Sequence, residues 1–194
     1  MKTIHVLLFS MLTIAVIGIA GFAIRNGTKI EGARNDNTKL VASERDFILG
    51  MVPHHEEAVT TSNDILKIAQ DTEIRDFAKG VVTVQESEIT EMKSWYTSWY
   101  GEDFKDDGRY KPMMRSIAGL SAEEAQARYV EDMIGHHEHA VLMAKELSSF
   151  AEKAELKSLA ADIIRAQEQE ITFLKTWLKD KYGQTAKPVD HSMH

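Results

Sequence analysis

The sequence predicts an all-α protein: a four-helix bundle made of two copies of one helical hairpin, behind an N-terminal hydrophobic helix. Three observations support this fold class. Only three prolines occur in 194 residues, and Ala, Glu, Lys and Leu, which favour helices, are abundant. A long stretch of sequence recurs at a fixed offset. Within each copy, apolar residues recur at the three-and-four spacing of an amphipathic helix.

The N-terminal segment, residues 1–24, predicts export from the cytoplasm. Lys2 precedes an apolar run that suits either a signal peptide or a membrane anchor. Its length favours an uncleaved anchor, and its lack of amphipathic spacing disfavours a buried helix of the domain. Residues 25–42 are polar and predict a linker. Both export interpretations place the rest of the chain in the periplasm or another extracytoplasmic space, attached to the membrane if the segment is uncleaved.

The repeat is clearest in two pentapeptides, MVPHH at residues 51–55 and MIGHH at residues 133–137, which lie 82 positions apart. The same offset relates Gln85 to Gln167, Glu88 to Glu170 and Trp95 to Trp177, without a gap. The pattern predicts a bundle over residues 43–183 with repeats at 43–101 and 121–183. Residues 184–194 are predicted to be a flexible tail.

Each copy is predicted to be a hairpin of two helices. Polar residues that resemble capping boxes mark the start of the first and third helices, at Ser43 with Asp46 and at Ser121 with Glu124. Short polar breaks near 70–72 and 148–151 separate the two helices of each hairpin. Gly101 and Gly183 stand where a C-cap glycine is expected.

Polar residues interrupt the predicted core stripe at one level of the bundle. The interruptions are His54 and His136 in the first and third helices, and Gln85, Glu88, Gln167 and Glu170 in the second and fourth. Because antiparallel helices pair about their turn, His54 is predicted level with Glu88, and His136 with Glu170. A buried, unpaired carboxylate is costly. The layer therefore predicts hydrogen bonds, a bound cation or both.

The residue types in and around this layer favour copper. Imidazole suits copper, zinc, nickel and iron, whereas a thioether selects soft ions such as Cu(I) and Ag(I). We therefore expect Cu(I), Cu(II) or both, with silver as a further ligand. The candidate metal ligands are Met51, His54, His55, Glu88, Met92, Met133, His136, His137, His139, Met143, Glu170 and, on the tail, His191, Met193 and His194. No catalytic residue is predicted.

The same residues also have interpretations that involve no metal. A single buried methionine is more often core filler than ligand, and Met92 most clearly so, since its counterpart is Leu174. The polar layer could also serve only to fix helix register. Pro53 and Gly135, just before the histidine pairs, either shape the site or fit close packing.

Both copies carry M-x-[PG]-H-H-x-x-A-[IV] followed by Q-x-x-E-I-x-x-[ML]-x-x-W. With these motifs, residues 43–183 resemble the domain of unknown function 305 family. The resemblance implies a ferritin-like helical bundle, often exported, and a relationship to CopM-type periplasmic copper-binding proteins. It points to Met51, His54, His55 and their repeat counterparts, with the glutamines and glutamates behind them.

The leading hypothesis is a non-enzymatic extracytoplasmic protein that binds copper for sequestration, delivery or tolerance. Its expected partners are copper ions and, for onward transfer, a copper exporter or another periplasmic carrier. A formal net charge of -7 argues against nucleic acid. The alternatives are a ferritin-like di-metal oxidase, disfavoured because neither histidine-bearing stripe contains Glu-x-x-His, and a purely structural bundle.

Overall fold

The computed structural model describes residues 39–183 and forms four long α-helices. These are α1 Glu44–Ile68, α2 Thr72–Tyr100, α3 Ala122–Ser148 and α4 Ala154–Tyr182. The predicted all-α bundle of two hairpins is confirmed. The predicted anchor, the linker up to residue 38 and the tail with His191, Met193 and His194 lie outside the described residues. Of the four helices described, none is long and apolar enough to cross a membrane.

The helix starts follow the capping pattern, completely in α3 and partly in α1. In α3 the Ser121 hydroxyl accepts from the Glu124 N–H at 3.3 Å, and the Glu124 carboxylate accepts from the Ser121 N–H at 3.0 Å. In α1 the Ser43 hydroxyl accepts from the Asp46 N–H at 3.1 Å. The Asp46 carboxylate instead accepts from the backbone of the residue before Ser43. The predicted box of α1 is therefore only half formed.

Glycines end the second helix of each hairpin, as predicted. Gly101 and Gly183 adopt left-handed φ angles of 70° and 62°, and their N–H groups bond to carbonyls of the last turn. The left-handed backbone conformation costs little free energy only for glycine, which lacks a Cβ. Within each hairpin the turn is short, at residues 69–71 and 149–153, so the paired helices are antiparallel neighbours.

The core consists of two hydrophobic clusters, one towards each end of the bundle. The first core cluster includes Phe47, Met51, Met92, Ala140, Met143, Leu156 and Ile163. The second core cluster includes Ala58, Ile65, Ile74, Tyr129, Met133, Leu174 and Trp177. The start of α1 thus packs with the end of α2, the end of α3 and the start of α4. It follows that α1 and α3 run antiparallel.

Residues 101–121, here called the crossover, connect the hairpins along the whole length of the bundle. Phe104 packs against the first core cluster, and Met114 and Leu120 pack against the second. Arg109 pairs with an aspartate of α1 at 2.7 Å, and Arg115 with an aspartate of α3 at 2.6 Å. The crossover therefore lies over α1 and α3. One long crossover between two hairpins is the ferritin-like topology.

Candidate metal centre

A buried polar layer separates the two core clusters. It contains His54, His55, His136 and His137, each 0% exposed, and Gln85 and Gln167, which are 3% and 4% exposed. All six lie in mid-helix, between residues that pack above and below them. The glutamine side-chain oxygens have no hydrogen-bond partner. Polar groups buried to this degree are usually satisfied, so the layer is unusual for a core.

Four of the imidazoles form a row across the bundle. Ring centroids are 6.0 Å apart for His55 and His54, 3.6 Å for His54 and His136, and 6.3 Å for His136 and His137. The central pair joins α1 to α3. His139 stacks on His54 with centroids 5.3 Å apart and planes at 24°. The structure therefore brings together all five histidines that were predicted from the described part of the chain.

His54, at the centre of the row, has neither ring nitrogen hydrogen-bonded. Burial lowers its pKa well below the ordinary value, and the neighbouring imidazoles, His136 foremost, lower it further. A neutral imidazole presents one N–H and one lone pair. Leaving both unmatched in the interior costs free energy, and it leaves a lone pair available to a ligand.

Two carboxylates flank the ends of the row. Glu88 Oε2 lies 2.8 Å from His55 Nε2, and Glu170 Oε2 lies 2.7 Å from His137 Nε2. The second contact has ion-pair distance, but its orientation does not meet hydrogen-bond geometry. The predicted level of both glutamates is close to that observed. Each glutamate, however, contacts the second histidine of its pair and not the first.

Glu57, on α1, contacts the central imidazole from α3 and also holds the crossover. Its Oε2 lies 3.3 Å from His136 Nε2, and its carboxylate accepts from the Tyr110 hydroxyl at 2.5 Å. The same carboxylate accepts from the backbone N–H groups of Met113 and Met114 at 3.0 and 3.1 Å. Burial alone would raise the pKa of Glu57, but these hydrogen bonds together lower it.

Tyr110 covers the centre of the row from the crossover. Its ring stands edge-on to His54 with centroids 5.7 Å apart, and its hydroxyl lies 3.4 Å from His136 Nε2. Burial and the bond to Glu57 raise the pKa of Tyr110. Burial lowers the pKa of His136 to about 4, although the bond to Glu57 partly opposes this. Both residues are therefore uncharged at neutral pH.

Sequence reasoning missed Glu57 and Tyr110. A signal for Glu57 was present, because it lies three residues after His54, on the same helix face. It is also the repeat counterpart of His139, which was among the candidates. Tyr110 had no comparable signal, since its position depends on the path of the crossover.

The predicted methionine ligands lie beside the layer and pack into the core. Met51, Met92 and Met143 belong to the first core cluster and Met133 to the second. Met51 and Met133 therefore lie on opposite sides of the histidines. Within residues 39–183, no three His, Asp or Glu side chains are arranged to hold one metal ion. A shared metal ion would need either a ring rotation or a sulfur ligand.

The fold and this layer define a class: a duplicated, ferritin-like four-helix bundle with paired histidines buried at its centre. The chain belongs to the DUF305 family, a domain of unknown function, whose model matches it twice, at residues 44–127 and 126–194. The expected family is confirmed.

Solved structures of CopM are similar to this chain. The Cu(I)-bound form is 31% identical with a TM-score of 0.68, and the Cu(II)-bound form is 30% identical with a TM-score of 0.66. Each match covers 73% of this chain and 99% of CopM. A presumed secreted DUF305 protein from Streptomyces coelicolor is 25% identical with a TM-score of 0.65, over 74% of this chain and 95% of its own.

Among curated proteins, the uncharacterised protein L153 of Acanthamoeba polyphaga mimivirus is 31% identical over 84 residues. That match covers 43% of this chain and 47% of the viral protein, so the chain spans about half the length of that relative. The relatives named here are metal-binding or uncharacterised proteins, and none of them carries the name of an enzyme.

Proposed function

We propose that this protein binds copper outside the cytoplasm, for sequestration, delivery or tolerance, and catalyses no reaction. The observation that carries the proposal is His54, fully buried with both ring nitrogens unbonded, in a row of four imidazoles. Neutral imidazole is a good ligand for copper. The similarity to CopM, whose solved structures carry Cu(I), Cu(II) and Ag, supports copper over zinc or iron and adds silver as a second soft ion.

In this proposal the imidazoles of the row supply nitrogen and the adjacent methionines supply sulfur. The central rings, 3.6 Å apart, are already in van der Waals contact, so an ion enters only when one of them rotates. Met51 and Met133 lie one turn before His54 and His136 and are the nearest thioethers in sequence. The remaining proposed ligands are Met92, His139, Met143 and, for capture outside the bundle, His191, Met193 and His194.

The test is a competition titration of the full chain with Cu(I) and with Ag(I), under anaerobic conditions, against a chelator of known affinity. The variant carries His54→Leu and His136→Leu, which keep side-chain volume similar. We expect tight binding by the wild type and its loss in the variant, with helicity retained. If the folded variant binds copper as tightly as the wild type, the proposed site is wrong. If the wild type binds no tighter than micromolar, the proposed function fails.

A matched pair of methionine variants tests the sulfur ligands. Met51 and Met92 are both 0% exposed and belong to the same core cluster. Met→Leu is a nearly volume-conserving change at either position. We expect Met51→Leu to weaken Cu(I) binding more than Met92→Leu, because the counterpart of Met92 is already Leu174. Equal losses would place Met92 among the ligands, and no loss in either variant would remove thioethers of this cluster from the site.

A further inference from the structure

Three of the four imidazoles in the row make the same kind of contact. In each, the Nε2 atom lies beside a glutamate carboxylate. The pairs are His55 with Glu88 at 2.8 Å, His136 with Glu57 at 3.3 Å and His137 with Glu170 at 2.7 Å. The three glutamates come from α1, α2 and α4, so the pattern is not the product of one local turn.

The opposite nitrogen of the same three rings is left without a partner. Nδ1 of His55, His136 and His137 is buried and accepts no hydrogen bond from any described residue. An ionised carboxylate can only accept a hydrogen bond, so the hydrogen of a neutral ring lies on Nε2 and the lone pair on Nδ1. A hydrogen bond sets this tautomer at His55. At His136 and His137 the carboxylate lies 3.3 and 2.7 Å from Nε2, and its negative charge favours the same tautomer.

His54 is the one imidazole of the row without such a contact, and the sequence repeat explains why. Glu57 on α1 contacts His136 on α3, so the repeat-related contact would run from position 139 on α3 to His54 on α1. That position holds His139, which stacks on His54 at 5.3 Å. The fourth carboxylate is thus replaced by a fifth imidazole. His54 is consequently the ring of the row that no carboxylate orients.

We propose that Glu57, Glu88 and Glu170 are positioning residues that do not touch the metal, and that Nδ1 of their histidines is the ligating atom. The inference rests on the proposed copper binding. It departs from the expectation that Glu88 and Glu170 bind the metal themselves. A carboxylate on the far nitrogen fixes the ring and strengthens it as a donor, as in other metal sites where a carboxylate orients a ligating histidine.

The first measurement identifies the nitrogen directly. The full chain is labelled with ¹⁵N in its histidine rings, and long-range ¹H–¹⁵N spectra are recorded without metal and during addition of silver nitrate. We expect the Nε2–H tautomer for His55, His136 and His137 before silver is added. On addition, silver–nitrogen coupling is expected on Nδ1. Coupling on Nε2 of these rings would overturn the inference and leave the proposed function standing.

A set of variants at one glutamate measures the positioning effect. Glu88→Leu removes the acceptor and is expected to lower Ag(I) affinity about 10- to 100-fold. Glu88→Gln keeps an oxygen that can accept from His55 Nε2–H, so it should restore most of that affinity and the Nε2–H tautomer. Glu86→Gln, at an exposed position of the same helix, is the control and should change nothing.

The outcomes separate the two proposals. If Glu88→Gln loses as much affinity as Glu88→Leu while staying folded, the carboxylate is itself a ligand and the inference is wrong. If Glu88→Leu binds silver like the wild type, Glu88 positions nothing and the inference is again wrong. If the wild type binds neither silver nor Cu(I), the proposed function falls, and the ligand assignment falls with it.

Discussion

The buried imidazoles predict that the metal-free protein loses stability in mild acid. In the folded protein the pKa of His136 is lowered to about 4 by burial, with partial opposition from Glu57, against an ordinary value of 6.5. Between these pH values the His136 imidazole is protonated in the unfolded chain and neutral in the folded protein. The free energy of unfolding therefore falls as the pH drops through this window, and the loss is complete below the folded pKa.

The size of the effect follows from the difference between the two pKa values. At about 1.4 kcal/mol per pKa unit, His136 alone accounts for a loss of up to about 3 kcal/mol, of which about 2 kcal/mol is reached near pH 5. His54 acts in the same direction, because burial and its neighbours lower its pKa too. The lowered pKa of Glu57 adds stability that is lost only below its ordinary value of 4.5. The range above pH 5 thus isolates the histidines.

The assay is urea unfolding of metal-free protein, followed by circular dichroism, at several pH values between about 8 and about 5. His136→Leu is the comparison, because it removes the titrating group at similar volume. We expect its stability to depend on pH less steeply than that of the wild type, by about 2 kcal/mol over the range. If both proteins lose the same stability, burial of His136 is not the cause and the reasoning is refuted.

Three further predictions concern the crossover, a surface glycine and the metal itself. Tyr110→Phe removes a hydrogen bond to the partly buried Glu57 carboxylate and should destabilise the protein by about 1–3 kcal/mol in urea unfolding; an unchanged midpoint would mean that water replaces the hydroxyl. Gly80→Ala, in α2 with open space around the added Cβ, should stabilise by up to about 1 kcal/mol, and a lower Tm would contradict this. Silver at about 100 times its Kd should stabilise the wild type by about 2.7 kcal/mol and leave the His54→Leu, His136→Leu variant unchanged; an equal rise in Tm in both proteins would place the silver elsewhere.

The fold could be predicted from the sequence because its signals are local and repeated. The helical spacing of apolar residues and the positions of Gly101 and Gly183 define four helices. Short turns then set the register, which is why Glu88 and Glu170 were placed close to their observed level. The predicted level does not fix which histidine of a pair meets the glutamate, and in the structure it is His55 and His137. Adjacent residues differ by about 100° around a helix, and which of them meets α2 or α4 depends on how α1 and α3 pack together.

Other parts of the site depend on tertiary structure that periodicity does not encode. The close contact of the His54 and His136 rings requires α1 and α3 to approach each other at the level of the layer. The contacts of Tyr110 require the crossover to run over these helices, and no sequence pattern in residues 101–121 shows its path. The structure also places Met51 and Met133 on opposite sides of the histidines, a consequence of the antiparallel run of α1 and α3.

The two copies of the hairpin differ at the centre of the row, and under the proposed copper binding this difference favours rotation of one central ring over the other. His136 is held by Glu57 and lies against Tyr110, so rotating it would break contacts with both. His54 has no hydrogen bond to lose; it stacks on His139 and meets Tyr110 edge-on. Breaking a hydrogen bond in the interior costs free energy. Separating the two central rings therefore costs less free energy when His54 rotates than when His136 does. Under the proposed copper binding, His54, with neither ring nitrogen hydrogen-bonded and no adjacent carboxylate, is therefore the ring best placed to admit an ion.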